Sequence, residues 1–141
     1  MQLGTILVPV DGSEHSMRAV HYAAGLARLG EGAKLVLLHC HKPVPLTLGE
    51  PNFQQALDAL GRESEGILMP YRRALQEQGV AFEEKVVGGS AAQVIADVAE
   101  NLGCGLVVMG SKGKSDLEGL IVGSVTHKVL HIASCPVLVV R

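Results

Sequence analysis

The residues in this sequence best suited to chemistry are glycines followed by a hydroxyl: Gly110-x2-Gly113, nine further positions, then Gly123-Ser124. Glycine lets backbone N–H groups approach an anion with no Cβ in the way. Ser124 stands where a helix would open, so its amide, its hydroxyl and the next amides aim at one spot. A helix N-terminus carries partial positive charge, and Lys112 and Lys114 add cations between the glycines. A polyphosphate is the chemistry on which these features converge. Near the N-terminus, Asp11-Gly12-Ser13 offers a carboxylate. An Asp in that setting serves an Asx turn or a helix cap, and a carboxylate has acceptor sites enough to hold a ligand as well.

Other motifs fail on spacing. Gly113-Lys114-Ser115 has the ending of a P-loop, but that motif needs a glycine five positions before Gly113, where Val108 stands. Gly30-Glu31-Gly32 lacks a third glycine, because Leu35 occupies its place, and it follows a helix instead of a strand. His39-Cys40-His41 and the i, i+4 pair His127/His131 invite a metal. On a regular strand, however, His39 and His41 share one face while Cys40 takes the other. Packed or solvated histidines are the expectation, with no metal held by the protein. No nucleophile elbow of the G-x-S-x-G kind occurs, so no catalytic residue is assigned.

The elements that must position the glycines alternate along the chain. Thr5 to Val10 is a β-branched run closed by the Asp-Gly-Ser turn. Glu14 to Leu29 places Met17, Val20, Ala24 and Ala27 on one helix face, with Ser13 as its N-cap. A second strand begins at Lys34, and Lys42 to Asn52 is a Pro/Gly-rich loop. Phe53 to Gln78 is a helix that Gly61, Gly66 and Pro70 should bend or break. Val80 to Val87 alternates and carries charge, as an edge strand does. Ser90 then caps a helix with Val94, Ile95, Val98 and Leu102 on its face. Gly105 to Met109 is the fourth strand, Ser124 to Ala133 the last helix and Pro136 to Val140 the fifth strand. Continuous apolar strands alternating with helices predict an α/β fold: a doubly wound, open five-stranded parallel sheet with helices on both faces, Rossmann-like. The strand order expected for this topology is 3-2-1-4-5, in one domain over residues 1–141. Gly110 then follows a central strand at its carboxyl end, where open α/β sheets bind ligands.

Composition excludes whole classes of partner. A formal net charge of -2 and 3% aromatic residues leave neither a basic face nor stacking platforms for nucleic acid. No apolar run approaches the roughly 20 residues of a membrane span. The N-terminus has no basic stretch ahead of an apolar one, so no signal peptide is expected. Cys40, Cys104 and Cys135 are odd in number and scattered, as suits reduced thiols and a cytoplasmic location. The fifth strand, Pro136 to Val140, is wholly apolar and lies at a sheet edge, so it should pair with its own copy in a homodimer.

The Gly110-x2-Gly113-x9-Gly123-Ser124 pattern does not stand alone. With Ile6-Leu7-Val8-Pro9-Val10-Asp11-Gly12-Ser13 before it and Cys135-Pro136-Val137-Leu138-Val139-Val140 after it, the chain resembles the universal stress protein family over essentially its whole length. Within that family the pattern marks the branch that binds ATP. The resemblance implies that Asp11 accepts the ribose hydroxyls, with the backbone of Pro9, Val10 and Gly110 alongside. It implies that the backbone of Cys40, where the family usually has valine, recognises adenine. Met109, Lys112, Gly113, Gly123, Ser124, Val125 and Thr126 would line the phosphates and ribose. Lys112 stands where Arg or His is common, which keeps a cation but loses a planar donor fork.

The expected ligand is ATP, ADP or AMP. Mg²⁺ would be held mainly by the phosphates, with Asp11 or Asp116 nearby. The implied role is a stress-response or regulatory dimer with the nucleotide as ligand. A slow Mg-dependent ATP hydrolase and a nucleotide-free dimeric interaction module are the alternatives, and no residue is singled out as a base to activate water.

Overall fold

The computed structural model describes residues 3–114, 118, 119 and 121–141. Ile6, Leu7 and Val8 form the middle of strand β1 (Thr5–Pro9), and each is fully buried. Consecutive strand side chains point to opposite faces, so burial at every position requires cover on both. That requirement organises the chain. Strands β2 (Lys34–His41), β3 (Phe82–Gly88), β4 (Leu106–Gly110) and β5 (Val137–Val140) join β1 in one sheet of order β3-β2-β1-β4-β5. Every pairing is parallel.

Two apolar layers flank the sheet. On one face Ile6, Val8, Leu35 and Leu37 meet Val20 of helix α1 (Glu14–Leu29) and Leu68, Tyr71 and Leu75 of α2 (Asn52–Glu77). On the other, Leu7, Val36, Leu38 and Val107 meet Ile95 of α3 (Ala91–Asn101) and Val129 of α4 (Ser124–Ile132). This is the doubly wound α/β architecture, with the expected strand order. Among the described residues no helix is long and apolar enough to cross a membrane.

The break expected within one helix does not occur. α2 runs unbroken from Asn52 to Glu77 through Gly61, Gly66 and Pro70. Its buried residues Ser64, Leu68, Tyr71 and Leu75 recur at helical spacing, whereas Gly61, Gly66 and Pro70 are all exposed. Packing of the inner stripe therefore holds the helix together, and the carbonyl that loses its donor at Pro70 faces water. Pro70→Ala should restore that donor at no packing cost. We expect it to stabilise the chain by about 1–3 kcal/mol, seen as a raised urea midpoint with unchanged slope.

The two sheet edges differ. β3 is dressed with charge: Glu83 pairs with Lys34 at 2.8 Å, and Glu84 meets Arg72 of α2, whose guanidinium also grips Glu65 through two hydrogen bonds. Those carboxylates raise the Arg72 pKa further above its ordinary value. β5 carries only apolar residues, pairs with β4 on one side and ends the sheet on the other.

Candidate functional site

Parallel strands bring the start of each following helix to the carboxyl end of the sheet. Three of those starts border one cleft of about 140 Å³: Ser16 in the first turn of α1, Ala91 opening α3, and Ser124 opening α4. In α4 the first intrahelical bond runs from His127 N–H to the Gly123 carbonyl at 2.9 Å. The amides of Ser124, Val125 and Thr126 precede it and belong to the unpaired first turn of a helix. The partial positive charge of three helix ends therefore faces one space. Lys112 lines the same cleft, and Asp11 is the one carboxylate among its described lining residues.

Asp11 joins the two loops that form the rim. Its Oδ1 accepts the Ser13 amide at 2.9 Å, the Asx turn read from the sequence, and the Ser16 hydroxyl at 3.1 Å. Its Oδ2 accepts the Lys114 amide at 3.0 Å, across from the glycine loop. Partial burial pushes the Asp11 carboxyl up, but hydrogen bonds from Ser13, Lys114 and Ser16 outweigh it and hold the pKa below 3.8. Asp11 is thus ionised at neutral pH, and it can still accept from a ligand.

Of the positions singled out in the sequence, Pro9, Val10, Asp11, Cys40, Met109, Gly110, Lys112, Gly113, Ser124, Val125 and Thr126 all line this cleft. Gly123 does not. It is the N-cap of α4, and its amide donates to the Ser111 carbonyl at 2.6 Å, which pins the helix end to the loop after β4. Thr126 is committed in a similar way, because its buried hydroxyl donates to the Gly110 carbonyl at 2.8 Å. Gly110 owes its lack of a side chain to packing. A Cβ there would lie 2.7 Å from the His15 Cβ and 2.8 Å from the His15 carbonyl carbon, inside the first turn of α1. Asp116 lies outside the described residues.

Sequence reasoning missed Ser16, Leu38, Ala91 and Ile95, which also line the cleft. Ser16 carried a signal in its spacing from Ser13, the cap whose hydroxyl accepts the Ser16 amide at 3.1 Å. Ala91 carried one in following Ser90, the N-cap of α3. Leu38 and Ile95 read only as core.

The histidines and cysteines have other occupations. Buried His39 faces α2 and pairs with the Ser64 hydroxyl at 3.0 Å, while His41 Nδ1 lies 2.7 Å from the Lys42 carbonyl. Burial, and then the neighbouring His41, lowers the His39 pKa. Cys40 turns to the opposite face, where burial pushes its thiol up to about 11. His127 and His131 meet edge to face with ring centroids 4.7 Å apart.

The chain's relatives share this arrangement of elements. The solved structure of the protein MJ0577 of Methanocaldococcus jannaschii superposes with a TM-score of 0.86 at 27% identity, covering 99% of this chain and 96% of that one. A universal stress protein solved in complex with cAMP superposes with a TM-score of 0.74 at 26% identity, over 100% and 98% of the two chains. In sequence, a universal stress protein of Thermus aquaticus encoded in the QAH/OAS sulfhydrylase 3′ region is 37% identical over 97% of this chain and 98% of its own length. The universal stress protein family model matches residues 3–141. The whole described chain, from β1 to β5, thus belongs to the universal stress protein family.

Proposed function

We propose that this chain binds an adenine nucleotide, ATP in the first instance, in the cleft at the carboxyl end of β1, β2 and β4, and acts as a regulatory stress-response protein. The observation that carries the reading is the convergence of three helix N-termini on a cleft with Lys112 at one side and an ionised Asp11 at its rim. Phosphates suit the unpaired amides of α4. Ribose hydroxyls suit Asp11, and the apolar wall of Leu38, Ile95 and Met109 suits a purine. The cAMP complex of a relative supports the same ligand class. Mg²⁺ would be held mainly by the phosphates.

The reading is one of binding, not turnover. The described lining holds no second carboxylate and no histidine to activate water. Native mass spectrometry of the purified chain should show adenine nucleotide bound, or taken up when ATP, ADP or AMP is added. Absence of both would sink the reading. We further propose that the chain works in the cytoplasm as a homodimer through the outer edge of β5, which among the described residues has no further strand beside it. Sedimentation should give a dimer at micromolar concentration, and a monomer there would remove that part.

A further inference from the structure

The carboxylate at the rim is tied to a side chain far away in sequence. Tyr71 of α2 is 1% exposed, yet its hydroxyl reaches the loop after β1. The Gly12 amide donates to the Tyr71 oxygen at 2.8 Å, so toward Gly12 the phenol is an acceptor. Its own proton must go elsewhere, and the Ser16 Oγ lies 2.6 Å away. Ser16, accepting from Tyr71, can then send its proton to Asp11 Oδ1 at 3.1 Å or to the Ser13 carbonyl at 3.0 Å. With the Ser16 proton directed to Asp11, the bonds run in one direction, from Gly12 through Tyr71 and Ser16 to the carboxylate. Each link polarises the next.

We propose that Tyr71 is a positioning residue for nucleotide binding, acting through Ser16 to hold the Asp11 carboxylate in the orientation that receives the ribose hydroxyls. The proposal rests on the nucleotide reading above. Its physical content is division of labour. The Lys114 amide fixes one oxygen of Asp11 from the glycine loop, and the Tyr71–Ser16 chain, beside the Ser13 amide, fixes the other. With both oxygens held before the ligand arrives, the rotamer entropy of the carboxylate is not lost on binding. Burial raises the Tyr71 pKa above its ordinary value, which keeps the phenol protonated and able to donate.

The test compares ATP with 2′,3′-dideoxy-ATP, which lacks the hydroxyls that Asp11 would receive, by calorimetry on the full chain. Tyr71→Phe keeps the buried ring and removes only the hydroxyl. The expected result is an ATP affinity about fivefold weaker, the worth of roughly one hydrogen bond, with dideoxy affinity unchanged. A purely structural role would weaken both ligands together, and that outcome, or no change in either, overturns the proposal. Should Tyr71→Phe fail to fold, Ser16→Ala removes the middle link and carries the same expectation. A ligand-free measurement stands beside these: carbon-13 titration of the Asp11 carboxyl, which should move upward in both variants and would refute the chain by staying where it is. A parent chain that binds neither ligand overturns the nucleotide reading and this inference with it. A parent that binds ATP normally, beside an unaltered Tyr71→Phe, overturns this inference alone.

Discussion

Replacing Gly110 by alanine should destabilise the chain by about 3 kcal/mol and lower its melting temperature by roughly 10 °C. The reason lies in what a methyl group would strike. A Cβ at Gly110 would sit 2.7 Å from His15 Cβ, 2.8 Å from the His15 carbonyl carbon and 3.0 Å from the Ser16 amide nitrogen. Two of those are backbone atoms in the first turn of α1 and cannot swing aside. Either β4 and α1 separate, or the turn distorts. Both outcomes strip contacts from the layer that holds Val20 and Val108. The lower chain entropy of the unfolded alanine variant offsets only about 0.4–1 kcal/mol. Gly25→Ala is the control. Gly25 lies within α1, and beyond its chain neighbours and its own helix backbone no atom comes within 4 Å of its absent Cβ, so alanine there should stabilise by about 0.5–1 kcal/mol. Thermal unfolding by circular dichroism reads both, and a Gly110→Ala chain as stable as its parent would show that α1 does not close on β4 as described.

Gly110 also shows how far the sequence could be read. Its place after an apolar run, ahead of a second glycine and a helix start, was enough to put it at the carboxyl end of a central strand. Its reason was not legible. Spacing suggested room for an anion, while the atoms that exclude a side chain belong to His15, a remote segment. The layering of the fold was readable for a related reason. Ile6, Leu7 and Val8 are apolar at successive positions, which only a strand covered on both faces tolerates. Local signals misled where tertiary packing overruled them. Pro70 and two glycines argued for a bent or broken helix, but all three are exposed, and the inner stripe through Leu68 and Leu75 keeps the helix unbroken.

The face of α3 was half legible. Val94 and Val98 drew attention by size, whereas the small residues Ala92 and Ala99 pack deeper, in the cluster of Ile95. Hydrophobic size and closeness to the sheet are different properties, because a small side chain lets a helix approach. The site divides in the same way. Residues carried by one continuous motif, such as Gly113 and Ser124, could be found from spacing. Tyr71 could not be assigned to it, since no periodicity says that a phenol on α2 will bond to a loop across 59 positions of chain.

Asp11→Ala should weaken adenine-nucleotide binding about tenfold or more, and the sign of that change is more informative than its size. A nucleotide brings several negative charges. If the Asp11 carboxylate faced the phosphates, removing it would relieve repulsion and binding would tighten. If it faces the ribose, removal costs charge-assisted hydrogen bonds and binding loosens. Calorimetry with ATP therefore locates the carboxylate relative to the ligand, and tighter binding would reverse the orientation proposed above. Asp11→Asn sharpens the comparison. An amide removes the charge but keeps one acceptor, and its NH₂ would meet either the Ser13 or the Lys114 amide donor to donor.

Stability offers a second reading of the same side chain. Hydrogen bonds hold the folded pKa of Asp11 below 3.8, so ionised Asp11 favours the native state at any pH above the ordinary carboxylate range. That contribution is lost as the pH falls through the folded pKa. The stabilities of the parent and Asp11→Ala should accordingly differ by a constant amount above the ordinary carboxylate range and draw together as the pH falls through the lowered folded pKa. A gap that persists undiminished in acid would mean that Asp11 holds the two loops by packing alone. The carboxylate would then have no electrostatic claim on the rim of the cleft.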